Sequence, residues 1–94
     1  LDARSARGRL VDVAAPGSGV YALGEADDTP PIAVSGTSYA APHAVGVAGL
    51  LASFDPGRQL TAGDLKRHIV DGARAGGLTA DGYPVLNAYE SLRL

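Results

Sequence analysis

The chain has no cysteine, so no disulfide framework can staple it and no cysteine-ligated zinc cluster can form. Its redox compartment stays open, because cysteine-free chains occur on either side of a membrane. Aromatic residues are scarce, 5% of 94 positions, and much of the apolar content is Ala, Val and Leu. That is a poor supply for an independent core in so short a chain. A dominant charge is also lacking: 8 Lys and Arg face 10 Asp and Glu, for a net charge of −2. The bases are scattered from Arg4 to Arg93 with no stripe among them, which argues against nucleic acid as a partner. The local groups Arg4, Arg7 and Arg9, and Glu25, Asp27 and Asp28, read as solvated loops. No run approaches the roughly 18 consecutive apolar residues of a membrane span without Gly, Pro or His intervening. No signal peptide is recognisable either. The chain opens Leu1-Asp2-Ala3-Arg4 with no initiator methionine, which reads as part of a longer polypeptide whose beginning is missing.

What is present suggests order. With 46% hydrophobic and 19% charged residues the chain is expected to be globular, one domain or part of one. Residues 10–14 (Leu-Val-Asp-Val-Ala) read as a short strand stopped by the turn at Pro16-Gly17, and residues 20–23 as a second strand. Glu25 to Pro31 is a polar surface loop. Ile32-Ala33-Val34 is a brief extended segment leading into the turn Ser35-Gly36. A helix is predicted from Thr37 or Ser38 to about Ser53. Pro42 falls in its first turns, where a missing N–H costs least. This helix has small or apolar residues on every side, from Ala40 to Ala52, and a helix without a polar face is normally buried all round. Nothing else in 94 residues can bury it fully. The chain alone is therefore expected to expose an apolar patch, and the missing cover is read as a parallel sheet.

After a turn at Asp55-Pro56-Gly57, Thr61 and Asp64 form a capping box for an amphipathic surface helix. Leu65, Ile69, Val70 and Ala73 lie on one face of it, with Lys66, Arg67 and Asp71 opposite. Gly72, Gly76 and Gly77 are read as closing it. Tyr83 to Leu86 is extended, and Asn87 caps a last helix from Ala88 to Leu92. There are no repeats or low-complexity segments.

The run most informative for chemistry is Ser35-Gly36-Thr37-Ser38-Tyr39-Ala40-Ala41-Pro42-His43, a turn of small residues opening into the apolar helix. A hydroxyl at a helix start lies beside N–H groups that have no partner within the helix, and the macrodipole adds positive potential. If Ser38 attacks a carbonyl, the oxygen that becomes anionic can be met by its own N–H and a neighbouring donor. The plain alternative is that Ser38 is an N-cap, the commonest task of a serine before a helix. The lipase-type elbow G-x-S-x-G fits less well, since its fifth position here is Ala40.

The run resembles the serine motif of the subtilisin-like serine proteases, the subtilases: Gly-Thr-Ser, a variable residue, Ala, a small residue, then Pro-His. Here these are Gly36, Thr37, Ser38, Tyr39, Ala40, Ala41, Pro42 and His43. Upstream, Val11-Asp12-Val13-Ala14-Ala15-Pro16-Gly17 and Val20-Tyr21-Ala22-Leu23 look like the strand, Ala-Pro-Gly turn and strand that precede that serine. Downstream, Leu60-Thr61 and Val85-Leu86-Asn87-Ala88-Tyr89 look like the end of the catalytic domain. The resemblance implies that residues 1–94 are the C-terminal part of a subtilase catalytic domain. Its fold would be α/β and three-layered, with a mainly parallel sheet and a buried central helix after the nucleophile. It implies Ser38 as nucleophile, with Thr37, Ser35 and Gly36 lining the oxyanion and substrate-binding region. It also implies a peptide or protein substrate and a secreted or extracytoplasmic location. Calcium is a cofactor the resemblance allows in the full-length parent, and none is identified here.

Subtilases run Asp, His, Ser along the chain, and the asparagine of their oxyanion hole also lies upstream of the serine. The only asparagine here, Asn87, is downstream. A peptide-hydrolysing site would thus need an upstream segment of the same domain as partner, and this chain alone is expected to lack triad-dependent activity. His43 is five residues from Ser38, about 140° round a helix, so it is read as structural. His68 is read as solvated, and its pairing with Asp64 is too small a set for a metal. Asp12, Asp27 and Asp28 are read as solvated, since no histidine stands between them and Ser38. Three readings stay open: a segment of a serine endopeptidase, a non-catalytic binding or structural remnant, or part of another serine hydrolase such as an esterase.

Overall fold

A capping box, two strand-forming tripeptides and a long Ala-rich segment set the element order. The computed structural model describes residues 1–24, 26–55, 57 and 59–93. Strands β1 (Val20–Ala22) and β2 (Ile32–Val34) are followed by helices α1 (Thr37–Ser53), α2 (Ala62–Gly76) and α3 (Ala88–Arg93). Glu25 of the expected loop and Pro56 of the expected turn lie outside the described residues.

The strands pair antiparallel, with Val20 opposite Val34, Tyr21 opposite Ala33 and Ala22 opposite Ile32. Residues 10–14 differ from expectation. Only Ala14 bridges, in parallel to Val85, its N–H donating to the Pro84 carbonyl at 2.7 Å and its carbonyl accepting from the Leu86 N–H at 2.8 Å. β-branched content favours a strand only where a neighbour offers a ladder, and the proline at position 84 has no N–H to extend this one. Leu10 is 89% exposed, with no layer over it. Mixed helices and short strands are therefore present, and the one sheet among the described residues is the antiparallel pair β1–β2.

Helix α1 spans the expected residues. It buries Val47 and Leu51 but leaves Val45 70% exposed. Leu50 and Phe54 are exposed too, which is the apolar patch expected of these residues taken alone. Pro42 corrects the sequence reading. It lies inside the helix, four residues beyond Ser38, so its missing N–H withdraws the ladder bond to the Ser38 carbonyl.

Helix α2 starts as predicted. The Asp64 N–H donates to the Thr61 hydroxyl at 3.1 Å and the Thr61 N–H to the Asp64 carboxylate at 3.0 Å. The Thr61 backbone N–H first, then the Thr61 hydroxyl beside the carboxylate, hold the Asp64 pKa below its ordinary 3.8. A carboxyl whose pKa falls on folding contributes stability that is present above its unfolded value and lost as pH falls through the folded one. The gap in stability between the wild type and Asp64→Asn is therefore expected to shrink as pH falls below about 4, read by denaturant titration at each pH. Replacement of the cap in Thr61→Ala is expected to cost about 1 kcal/mol.

Gly72 does not close α2 but lies buried within it. An added Cβ would stand 2.5 Å from the Ser91 nitrogen and 2.6 Å from its Cα, so α3 crosses directly on bare backbone. Ser91 is completely buried, and its hydroxyl donates to the Asn87 carbonyl at 2.7 Å, which satisfies it. Asn87 caps α3 as expected, accepting from the Glu90 N–H at 3.0 Å.

Candidate functional site

Gly36 occupies the N-cap position of α1, with φ 149° and ψ 159° and no side-chain cap bond. L side chains rarely adopt that φ. Gly36→Ala is accordingly expected to cost about 1–3 kcal/mol, read as a shift of the denaturant midpoint. The capping role considered for Ser38 falls to Gly36, and Ser38 stands exposed at the second residue of the helix.

The start of α1 is electropositive for a local reason. No acidic residue lies in its first turn. The Tyr39 N–H donates to the Gly36 carbonyl at 3.0 Å, whereas among the described residues the Thr37 and Ser38 N–H groups have no hydrogen-bond acceptor. Two free N–H groups and the positive end of the helix dipole thus lie at the end of α1 that carries Ser38.

The Ala15-Pro16-Gly17 turn fixes the segment that presents Ser38. The Gly36 N–H donates to the Gly17 carbonyl at 2.7 Å. A Cβ on Gly17 would come to 3.0 Å from both the Ala40 Cβ and the Gly36 oxygen, so glycine lets the two backbones approach without displacing either. Two residues on, the loop is tied again, the Gly19 N–H donating to the Ser35 hydroxyl oxygen at 3.0 Å. Beside this junction is a cavity of about 500 Å³ whose lining includes Gly17, Ser18, Ser35, Gly36, Thr37 and Ala40.

The N-terminal segment forms the cavity's far wall through Asp2 and Arg4. Asp2 accepts from the Arg4 guanidinium at 3.3 Å, from the Arg4 N–H at 2.9 Å and from the Ser18 hydroxyl at 3.0 Å. These bonds, the Arg4 side chain foremost, hold its carboxyl far below the usual carboxylate range. Arg7 donates to Asp81 at 3.0 Å, and that bond leads the causes that lower the Asp81 pKa. Arg4 and Arg7 are solvated as read, and they also tie the first residues of the chain.

The structure brings Ser35, Gly36, Thr37 and Ser38 together on one turn, with Gly17 to Gly19 beside it. It does not bring a histidine or carboxylate into hydrogen-bond contact with Ser38 among the described residues. His43 turns away, its Nδ1 lying 2.9 Å from the Tyr39 carbonyl. His68 is half-buried rather than solvated, with Nδ1 3.2 Å from the Ser91 carbonyl. Asp12 pairs with Lys66 at 3.3 Å on the surface, and Asp27 and Asp28 are exposed in a turn. Among the described residues no three His, Cys, Asp or Glu side chains gather into a metal-binding group. No helix among them is long and apolar enough to cross a membrane. Sequence reasoning missed Ser18 and Gly19. The small-residue run Gly17-Ser18-Gly19 was the available signal, because such residues allow two backbones to meet.

Comparison with known proteins adds an independent line. The model of the Subtilase family matches residues 1–88. Thermitase from Thermoactinomyces vulgaris is 53% identical over 49 residues, a stretch covering 52% of this chain and 17% of thermitase. The chain therefore spans a small part of the length of that curated relative. No solved structure gives a significant match.

Proposed function

The chain belongs to the subtilase family, and from that premise we propose that it carries the nucleophile of a serine endopeptidase, Ser38. The observation that carries this reading is the position of exposed Ser38 on the first turn of α1, where the Thr37 and Ser38 N–H groups are unpartnered. In the complete domain an upstream histidine takes the Ser38 proton as Oγ attacks the scissile carbonyl carbon, and an upstream aspartate orients that histidine. The carbonyl oxygen becomes anionic and is met by the Ser38 N–H and a neighbouring donor. Collapse expels the amine, which takes the proton from histidine, and leaves an acyl group on Ser38 for water to hydrolyse. Gly36, Thr37 and Ser35 line the oxyanion and substrate-binding region in this reading.

The reading extends to architecture. The exposed apolar residues of α1 are to be covered by a mainly parallel sheet in a three-layer domain, with the Ala14 to Val85 bridge as its local trace. Residues 1–94 are then the C-terminal part of the catalytic domain, and their partner is its upstream segment. By the same resemblance the protein acts outside the cytoplasm, on peptide or protein substrates. The test is hydrolysis by the complete protein of matched peptide amide and ester substrates. Amide cleavage that is blocked by a fluorophosphonate is expected. Ester cleavage without amide cleavage would point instead to an esterase.

A further inference from the structure

We propose that Ser35 is a positioning residue, whose hydroxyl oxygen, held by the Gly19 N–H, fixes the turn that presents Ser38. The proposal rests on the reading of Ser38 as nucleophile. Gly36, between the two serines, has no side chain to anchor and sits in a backbone region that L side chains rarely adopt, φ 149°. Its orientation must therefore come from its neighbours. Two bonds supply it, from the Gly36 N–H to the Gly17 carbonyl at 2.7 Å and from the Gly19 N–H to the Ser35 Oγ at 3.0 Å. They bracket the turn on either side of the Ser35–Gly36 peptide.

The segment that Ser35 grips is itself held. Ser18, next to Gly19, donates its hydroxyl to Asp2 at 3.0 Å, and Asp2 is paired with Arg4 at 3.3 Å. Gly17 is pressed to within a Cβ's reach of Ala40 in the first turns of α1. The Gly19 N–H precedes β1 and takes no part in its ladder, so the Ser35 oxygen is its acceptor in the structure. Loss of that oxygen frees one side of the turn while the Gly36 to Gly17 bond remains. The expected result is a less exact Ser38 orientation with the fold kept.

A misplacement on the order of 1 Å in a reacting group can cost about 100-fold in rate. In the complete protein, Ser35→Ala is expected to lower kcat per fluorophosphonate-titrated site by about 10- to 100-fold. Ser35→Thr keeps the acceptor oxygen and is expected to restore most of it. A merely structural role would lower the melting temperature or the titrated fraction and leave kcat per site alone. Unchanged kcat per site in Ser35→Ala, or equal impairment in Ser35→Thr, overturns the proposal while normal labelling of Ser38 leaves the nucleophile reading standing. Absence of labelling at Ser38 in the unsubstituted protein overturns both. Amide hydrogen exchange gives a reading that needs no variant: the Gly19 N–H is expected to be protected, and free exchange there overturns the proposal.

Discussion

Ser38→Ala in the complete protein is expected to lower kcat for a peptide substrate by on the order of a million-fold, the scale found for removing the serine of another member of this family. That corresponds to about 8 kcal/mol of transition-state stabilisation. Fold and binding should survive the change. Ser38 is exposed and makes no cap bond, and alanine is the best helix former. KM and the denaturant midpoint are therefore expected to stay near their wild-type values while kcat collapses. A structural serine would give the opposite pattern, with activity following the folded fraction. Little effect on either would remove Ser38 from the mechanism.

Gly72→Ala is expected to destabilise the protein by about 1–3 kcal/mol, in the range of overpacked cores, with the larger Gly72→Val worse. The reason is the identity of what the new methyl group meets. The Ser91 nitrogen and Cα, 2.5 and 2.6 Å away, are backbone atoms and cannot rotate aside. Relief requires α3 to move off α2, which would disturb the half-buried contact of His68 with the Ser91 carbonyl. Gly63→Ala, in the first turn of the same helix, is the control, because its Cβ would meet only the Thr61 hydroxyl at an ordinary 3.7 Å. The measurement is the denaturant midpoint at constant slope. A neutral Gly72→Ala would contradict the direct crossing of the two helices.

These effects show what kind of information the residues carried on their face. Local rules were legible: the Thr61 and Asp64 box, the Asn87 cap, the extent of α1 and the brief strands each depend on residues within a few positions of one another. The eight-residue motif around Ser38 was legible for the same reason, and the family comparison agrees with it. What failed depended on partners distant in sequence. Residues 10–14 have strand composition, but a strand forms only against a neighbour, and one parallel bridge is what position 85 provides. Gly72 was taken as a helix end because glycine is disfavoured inside helices, whereas its task is to admit Ser91, 19 positions on. Arg7 is solvated as read, but its acceptor, Asp81, is 74 positions away and so was not legible. Ser35 was read by its place in a motif, and its bond to Gly19 crosses from one loop to another.

The central claim is that the hydroxyl at the start of α1 is the reactive one. Its most direct test is the intact mass of the complete, folded protein after reaction with a fluorophosphonate, followed by peptide mapping. The account predicts a single adduct, on Ser38, that is lost in Ser38→Ala. An adduct on another serine, or none in a protein that still cleaves peptides, would contradict it.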